Sequence, residues 1–264
     1  MSRYDAMFAR LAARGEGAFG AFVMLGDPDP RASAAVLDAL AEAGADMVEV
    51  GIPFSDPVAD GPVIQAAAER ALRAGTRQAD CFRLLADFRA RHPQVPVGIL
   101  TYANLVVARG RAAFYAAAAK AGVDSVLVAD VPAFEAEPYA AAARVAGVAP
   151  VLIAAANTPP ATLRRIARLG QGYTYCVARA GVTGAGEDVR IDHRAMLDAL
   201  AAADAPPPVF GFGISRPDHV RAALGGGAAG AISGSAIVDL VHRSGGDLAP
   251  LRRFVAAMKD ATRD

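Results

Sequence analysis

The chain has 264 residues, with 27 basic and 27 acidic side chains and a formal net charge of zero. That balance, without a basic stripe or an acidic tail, excludes nucleic acid and membrane surfaces as main partners. Two cysteines, Cys81 and Cys176, are too few for a disulfide framework, so a reduced, cytoplasmic setting is expected. No apolar h-region follows the Met1–Asp5 stretch and no apolar run approaches the ~18 residues of a bilayer span, so neither a signal peptide nor a transmembrane helix is expected.

Short β-rich runs alternate with Ala-rich helical stretches along the chain. The first fifteen residues read as an extra helix closing the bottom of the fold. Strands are then predicted over Ala18–Met24, Asp46–Gly51, Val95–Tyr102, Ser125–Ala129, Pro150–Ala154, Tyr173–Ala178, Val209–Phe212 and Gly230–Ser233. Between them lie helical segments such as Pro30–Ala43, Gln78–Arg91, Gly110–Ala121, Pro138–Ala146, Pro160–Leu169 and Pro217–Ala223. Most open on Pro or a polar residue and have Gly soon after their ends, as helix boundaries prefer. Eight βα units of about thirty residues, without linkers, predict one (β/α)8 barrel spanning 1–264 as a single domain. An open doubly wound sheet is the competing architecture, and eight evenly spaced strands suit it less well.

In a barrel, chemistry comes from strand C-terminal ends and the loops that follow. The second strand and its loop, Val48-Glu49-Val50-Gly51-Ile52-Pro53-Phe54-Ser55-Asp56-Pro57-Val58-Ala59-Asp60-Gly61-Pro62, are the most informative stretch. A carboxylate in an apolar strand is costly to desolvate, so Glu49 requires a reason to be there. One reason is proton transfer together with Asp60, which a Pro/Gly turn holds stiffly. The plainer alternative pairs Glu49 with a core Arg and leaves Asp56 and Asp60 as turn residues. At the last two strands, Gly211-Phe212-Gly213-Ile214-Ser215 and Ser233-Gly234-Ser235 are two glycine turns, the second opening a short helix. Backbone N–H groups there suit a phosphate, and the bland reading is two tight turns.

Alternation along 173–177 puts Tyr173, Tyr175 and Val177 on the interior face and Cys176 outward against a helix. Tyr175 would reach the mouth, whereas Tyr173 reads better as core filler. Cys176 adjoins no basic group and reads as an inert buried thiol. None of His92, His193, His219 and His242 pairs with a carboxylate or a second His at ligand spacing, so no metal site is expected.

These residues together resemble the α subunit of tryptophan synthase. The likeness covers Gly20–Pro28, Glu49–Gln65, Tyr102–Val106, Val123–Pro132, Gly172–Gly184, Gly211–Pro217 and Gly227–Val238. Its most specific segments are Gly51-Ile52-Pro53-Phe54-Ser55-Asp56-Pro57 and Arg179-Ala180-Gly181-Val182-Thr183-Gly184. The resemblance implies retro-aldol cleavage of indole-3-glycerol phosphate to indole and glyceraldehyde 3-phosphate. Glu49 then stands as general acid/base and Asp60 as the second catalytic carboxylate. Tyr175 stands beside the reacting side chain, and Thr183 docks on Asp60. The phosphate cradle falls on Gly184, Gly213, Gly234 and Ser235. The indole pocket falls on Phe22, Leu100, Leu127, Ile153 and Phe212; the bland reading of these is barrel-core packing, and for Leu127 and Ile153 both readings can hold.

The resemblance further implies a partner, a pyridoxal-phosphate-dependent β subunit in an α2β2 heterotetramer that receives indole through a tunnel. Pro53, Phe54, Asp56, Pro57, Asn104 and Pro132 match its contact surface, and Phe54 and Pro57 are expected to be exposed there. The cofactor belongs to the β subunit, so none is expected in this chain. Met24, Ala154-Ala155-Ala156, Ala178 and the acidic Gly186-Glu187-Asp188-Val189-Arg190 depart from the family's usual pattern without removing a catalytic residue. A sugar-phosphate isomerase or epimerase would need a metal-ligand set or paired Asp residues at opposite strands, which are not found. A non-catalytic activating subunit would not need Glu49, Asp60, Tyr175 and Thr183, whereas a free-standing lyase would keep them all.

Overall fold

The computed structural model describes residues 1–177 and 193–263. It opens with α1 (Arg3–Ala12), nucleated by a reciprocal cap: Asp5 N–H donates to Ser2 Oγ at 3.1 Å and Ser2 N–H donates to the Asp5 carboxylate at 2.8 Å. There follow β1 (Ala18–Met24), α2 (Pro30–Glu42), β2 (Met47–Gly51), α3 (Pro62–Arg73), α4 (Gln78–Arg91), β3 (Val97–Thr101), α5 (Ala103–Val107) and α6 (Arg111–Lys120). Next come β4 (Ser125–Val128), α7 (Glu137–Val145), β5 (Ala149–Ala155), α8 (Pro160–Leu169) and β6 (Thr174–Val177). Beyond residue 192 lie α9 (Arg194–Ala202), β7 (Pro208–Gly211), α10 (Pro217–Gly225), β8 (Gly230–Ser233), α11 (Ser235–Arg243) and α12 (Ala249–Asp260).

The strands pair in chain order, all parallel, and β8 returns to β1 over Ala18↔Gly230 to Ala21↔Ser233. This closes the expected (β/α)8 barrel. Period-2 alternation divides its apolar residues between two cores. Phe22, Met24, Met47, Leu127, Val151, Tyr173, Tyr175, Val177, Val209 and Ile232 fill the lumen. Val48, Val50, Val97, Ile99, Val126, Cys176 and Phe210 face outward against the helices. The predicted split of Tyr173, Tyr175 and Val177 from Cys176 therefore holds, and burial pushes the Cys176 thiol up to about 12, as an inert thiol requires.

Helix α1 closes the lower end. Its buried Tyr4 packs on Tyr173 with ring centroids 5.4 Å apart and shares a 2.8 Å hydrogen bond with Ser125 Oγ. Nearby, Lys259 of α12 is almost fully buried between Glu16 at 2.9 Å and Asp46 at 3.0 Å. Asp46 Oδ2 also accepts the Phe19 N–H at 2.9 Å, so this ion pair ties the chain's two ends to the start of the barrel.

Several boundaries shift for local reasons. The strand predicted to run to Phe212 stops at Gly211, because Phe212 turns into the left-handed region at φ 68°. The strand predicted to run to Tyr102 stops at Thr101, since Tyr102 becomes the cap residue of the short helix α5, which the sequence reading did not separate. Ala178, the predicted end of the sixth strand, lies outside the described residues. The histidine expectation also needs one correction: His92 Nε2 meets Asp38 Oδ1 at 2.9 Å, a pairing across 54 residues that spacing does not reveal. Among the described residues, no cluster of three or more His, Cys, Asp or Glu could hold a metal, and no helix is long and apolar enough to cross a membrane.

Candidate active site

Glu49 sits mid-strand on β2 with its side chain in the lumen, only 3 % exposed. The alternative of a core Arg partner is overturned. Its Oε1 instead accepts a 2.6 Å hydrogen bond from the Tyr173 hydroxyl, and its Oε2 is buried with no partner among the described residues. Burial pushes the carboxyl from 4.5 up to about 7, while the Tyr173 bond pulls the other way. A carboxyl poised there can give or take a proton at neutral pH. Tyr173 is the residue that sequence reasoning assigned to core filling, and the contact spans 124 residues. Alternation put both side chains in the lumen, but only the barrel's closure decides their height along it.

Asp60 lies at the end of the loop after β2, where its N–H donates to Pro57 O at 3.1 Å and Gly61-Pro62 starts α3. The stiff turn therefore exists, with Pro62 supplying the φ that the first helical turn needs. Asp60 is 8 % exposed, and burial raises its carboxyl above the ordinary 3.8, opposed by a hydrogen bond from the Tyr102 hydroxyl. The same Tyr102 oxygen accepts the Ala59 N–H at 3.2 Å, and Gln65 Nε2 donates to Asp60 O at 2.7 Å. Tyr102 thus orients Asp60, a role that the sequence reading did not give it. One further anchor holds this side: Arg70 of α3 grips Asp27, after β1, through two bonds of 2.7 and 2.8 Å.

Tyr175 projects from β6, and both Glu49 and Asp60 bear electrostatically on its hydroxyl, adding to the burial that raises it. Gly211 makes room for it: a Cβ there would stand 1.9 Å from the Tyr175 oxygen. The ring of Phe212 meets Tyr175 edge-on with centroids 6.0 Å apart. Thr183 and Gly184 lie outside the described residues.

Four of the five predicted pocket residues join this wall through strand register. Phe22 is level with Glu49, Leu100 with Leu127, and Ile153 with Tyr175. Phe22, Leu127 and Tyr175 are buried, while Leu100, Ile153 and Phe212 are half-buried and bound the open end. Met24 is accommodated because its neighbour is glycine; a Cβ on Gly51 would meet Met24 Cε at 2.8 Å.

On the far rim, Gly213 has φ 78° and is exposed, and Gly234 is the cap residue before Ser235 opens α11. The first N–H groups of a helix lack intrahelical partners, so they offer an anion donors together with the helix dipole. Gly234 also lies against Phe22, whose Cβ is 3.6 Å from where a Gly234 Cβ would be, so the cradle adjoins the apolar pocket. Ser233 Oγ donates to Ile214 O at 2.6 Å and locks the two glycine turns together.

The surface residues are only partly as expected. Asp56, Asn104 and Pro132 are exposed, but Pro53 is buried and Phe54 and Pro57 are half-buried. Phe54 folds back on Tyr102, with ring centroids 5.5 Å apart, because that contact removes apolar area from water. The exposed apolar side chains on these three mouth loops are instead Val58, Val107 and Phe134, at 71 %, 41 % and 70 %.

Comparison with known proteins agrees with this geometry. The family model described as the tryptophan synthase alpha chain matches residues 8–263. A Shewanella amazonensis tryptophan synthase alpha chain is 53 % identical over 266 residues, covering 99 % of this chain and 100 % of its own length. One from Vibrio cholerae is 51 % identical over 267 residues, covering 100 % of both. A solved chain of Mycobacterium tuberculosis tryptophan synthase superposes with a TM-score of 0.90 at 28 % identity, covering 100 % of this chain and 99 % of that one. A chain from a Pyrococcus furiosus tryptophan synthase complex gives 0.81 at 32 % identity, covering 92 % and 98 %. With a matched family model, full-length relatives at half identity and a shared barrel, the chain belongs to the tryptophan synthase alpha chain family, lyases of tryptophan biosynthesis.

Proposed function

We propose that Glu49, Asp60 and Tyr175 carry the alpha reaction of tryptophan synthase, the retro-aldol cleavage of indole-3-glycerol phosphate to indole and glyceraldehyde 3-phosphate. The observation that carries this reading is the buried Glu49 carboxyl, raised to about 7 and with one oxygen unpartnered among the described residues. In its protonated form Glu49 gives a proton to indole C3, which becomes tetrahedral and leaves positive charge on the ring. The resulting carboxylate takes the proton of the side-chain hydroxyl as the carbonyl forms and the carbon–carbon bond breaks. The proton returned to Glu49 restores the starting acid, so the group acts twice. Asp60, oriented by Tyr102, accepts the indole N–H and stabilises the charge growing there. Tyr175 packs beside the breaking bond, and Thr183 docks on Asp60.

Gly184, Gly213, Gly234 and Ser235 hold the phosphate, chiefly through backbone N–H groups. Phe22, Leu100, Leu127, Ile153 and Phe212 enclose the indole ring. The whole chain works as one barrel in a cytoplasmic α2β2 assembly whose β subunit carries pyridoxal phosphate, with no cofactor bound by this chain. Asp56, Pro57, Asn104 and Pro132 face that subunit, and the exposure of Val58, Val107 and Phe134 beside them supports such a surface.

Indole release from indole-3-glycerol phosphate, measured for wild type and Glu49→Gln with and without a β subunit, tests the reading. Weak activity alone, raised by the partner and abolished in the variant, is expected. Full activity without a partner would indicate a free-standing lyase, and none in either setting a binding-only subunit.

A further inference from the structure

A cavity of about 320 Å³ lies on the helical side of the barrel wall, under the 129–133 turn. Val126 and Val128 of β4, Leu152 of β5, Tyr115 of α6 and Tyr139 of α7 line it. It exists because Ala136, the cap residue of α7, and Ala140 within α7 are both buried against the barrel, where longer side chains would fill the space. It exists also because β4 and β5 part company. Their pairing ends at Leu127↔Val151, whereas β5 stays paired with β6 up to Ala155↔Val177. Along this seam Val151 and Ile153, whose side chains belong to the lumen, border the outer cavity as well. Exposed Asp130 and Pro132 stand at its entrance, and Asp130 Oδ1 accepts the Ala103 N–H at 2.7 Å.

We infer that this cavity, entered beside the β4 mouth loop but lying outside the lumen, is a second ligand site for a small neutral aromatic molecule carrying one hydrogen-bond donor, the chemical class of indole. Among the described residues no Lys, Arg or His lines it, Arg111 being stacked on the Tyr139 ring with Cζ 5.2 Å from its centroid, and Asp130 guards the entrance, so an anion is disfavoured. Its walls are aliphatic and aromatic, with Tyr115, Tyr139 and the β4 and β5 backbone beyond their last shared pair as its sources of polar groups, and its volume lies within the range of small-molecule sites. Ile153 couples the choice of occupant to the reaction, because one face of that residue borders the lumen where indole is released. The inference rests on indole being this chain's product.

The test titrates the full-length chain with indole and follows Ala methyl resonances by NMR. Saturable shifts of Ala136 and Ala140 are expected. Ala140→Leu, which fills the cavity, should weaken that binding at least tenfold while cleavage changes less than twofold. Tyr115→Phe keeps the shape and removes a hydroxyl, so it should weaken binding threefold or more and serves if the Leu variant does not fold. Shifts confined to the lumen, as at Ala155, or no saturation up to the solubility of indole, would overturn the second site. Indole formation measured on the same sample separates that result from failure of the catalytic reading, in which no indole would form at all.

Discussion

The Tyr173 hydroxyl donates a 2.6 Å hydrogen bond to Glu49 Oε1, joining the residue that leads into β6 to the second strand across the lumen. The bond favours the charged carboxylate and so opposes the burial that lifts Glu49 to about 7. Tyr173→Phe removes it without changing shape. The Glu49 carboxyl should then titrate higher, and the alkaline fall in cleavage rate should move to higher pH. Rate at the optimum should drop roughly 3- to 30-fold, the scale of one positioning hydrogen bond. A pH–rate profile identical to wild type would remove Tyr173 from the site.

Glu49 also has a cost in stability, and its sign follows from the same shift. The folded carboxyl holds its proton up to about pH 7, whereas the unfolded one releases it near 4.5. The folded state therefore binds more protons between these values, and its stability falls as pH rises through that window. The penalty is complete above about pH 7 and absent below 4.5. Glu49→Gln should consequently be more stable than wild type by roughly 3 kcal/mol at pH 8, and no more stable at pH 4.5. Urea unfolding at the two pH values checks this; an equal difference at both would contradict it.

Gly211→Ala should move Tyr175. The new Cβ would lie 1.9 Å from the tyrosine oxygen, so the ring must shift. Overpacking of this kind costs about 1–3 kcal/mol. Displacement of a group beside the reacting atoms by about 1 Å should lower kcat/KM on the order of 100-fold. A thermal melt and steady-state kinetics separate the two effects.

Gly234→Asp distinguishes phosphate binding from folding. The added side chain has room, with Phe22 Cβ at 3.6 Å, and Asp is a favoured residue at a helix N-cap. Stability should be unchanged or slightly higher. The carboxylate would face the phosphate across the helix start, so KM should rise about tenfold or more. An unchanged KM would place the phosphate elsewhere.

Lys259→Met addresses the opposite end of the barrel. It removes the cation buried between Glu16 and Asp46 but leaves Arg263 3.4 Å from Glu16 and Arg10 3.8 Å from Asp46. The urea midpoint should therefore fall, but by less than if the buried charges were left fully uncompensated. Because that cluster lies below the lumen, kcat/KM of the folded variant should stay within twofold of wild type.

The sequence alone determined what depends on near neighbours. Period-2 alternation separated Tyr175 from Cys176, and Pro and Gly punctuation located eight βα units. The broken strand after Val50 exposed Glu49 and Asp60 as unusual. The fold was therefore legible from the pattern, whereas the family and most of the candidate site residues came from the resemblance carried by segments such as Gly51–Pro57 and Arg179–Gly184. Only the tertiary structure decided which groups meet across the barrel: Tyr173 with Glu49, Tyr102 with Asp60, Gly211 beneath Tyr175 and His92 with Asp38. It also decided that Phe54 folds inward on Tyr102 and leaves Val58 exposed. Closure of eight strands fixes the height and facing of side chains from distant strands, and local periodicity carries no information about that register.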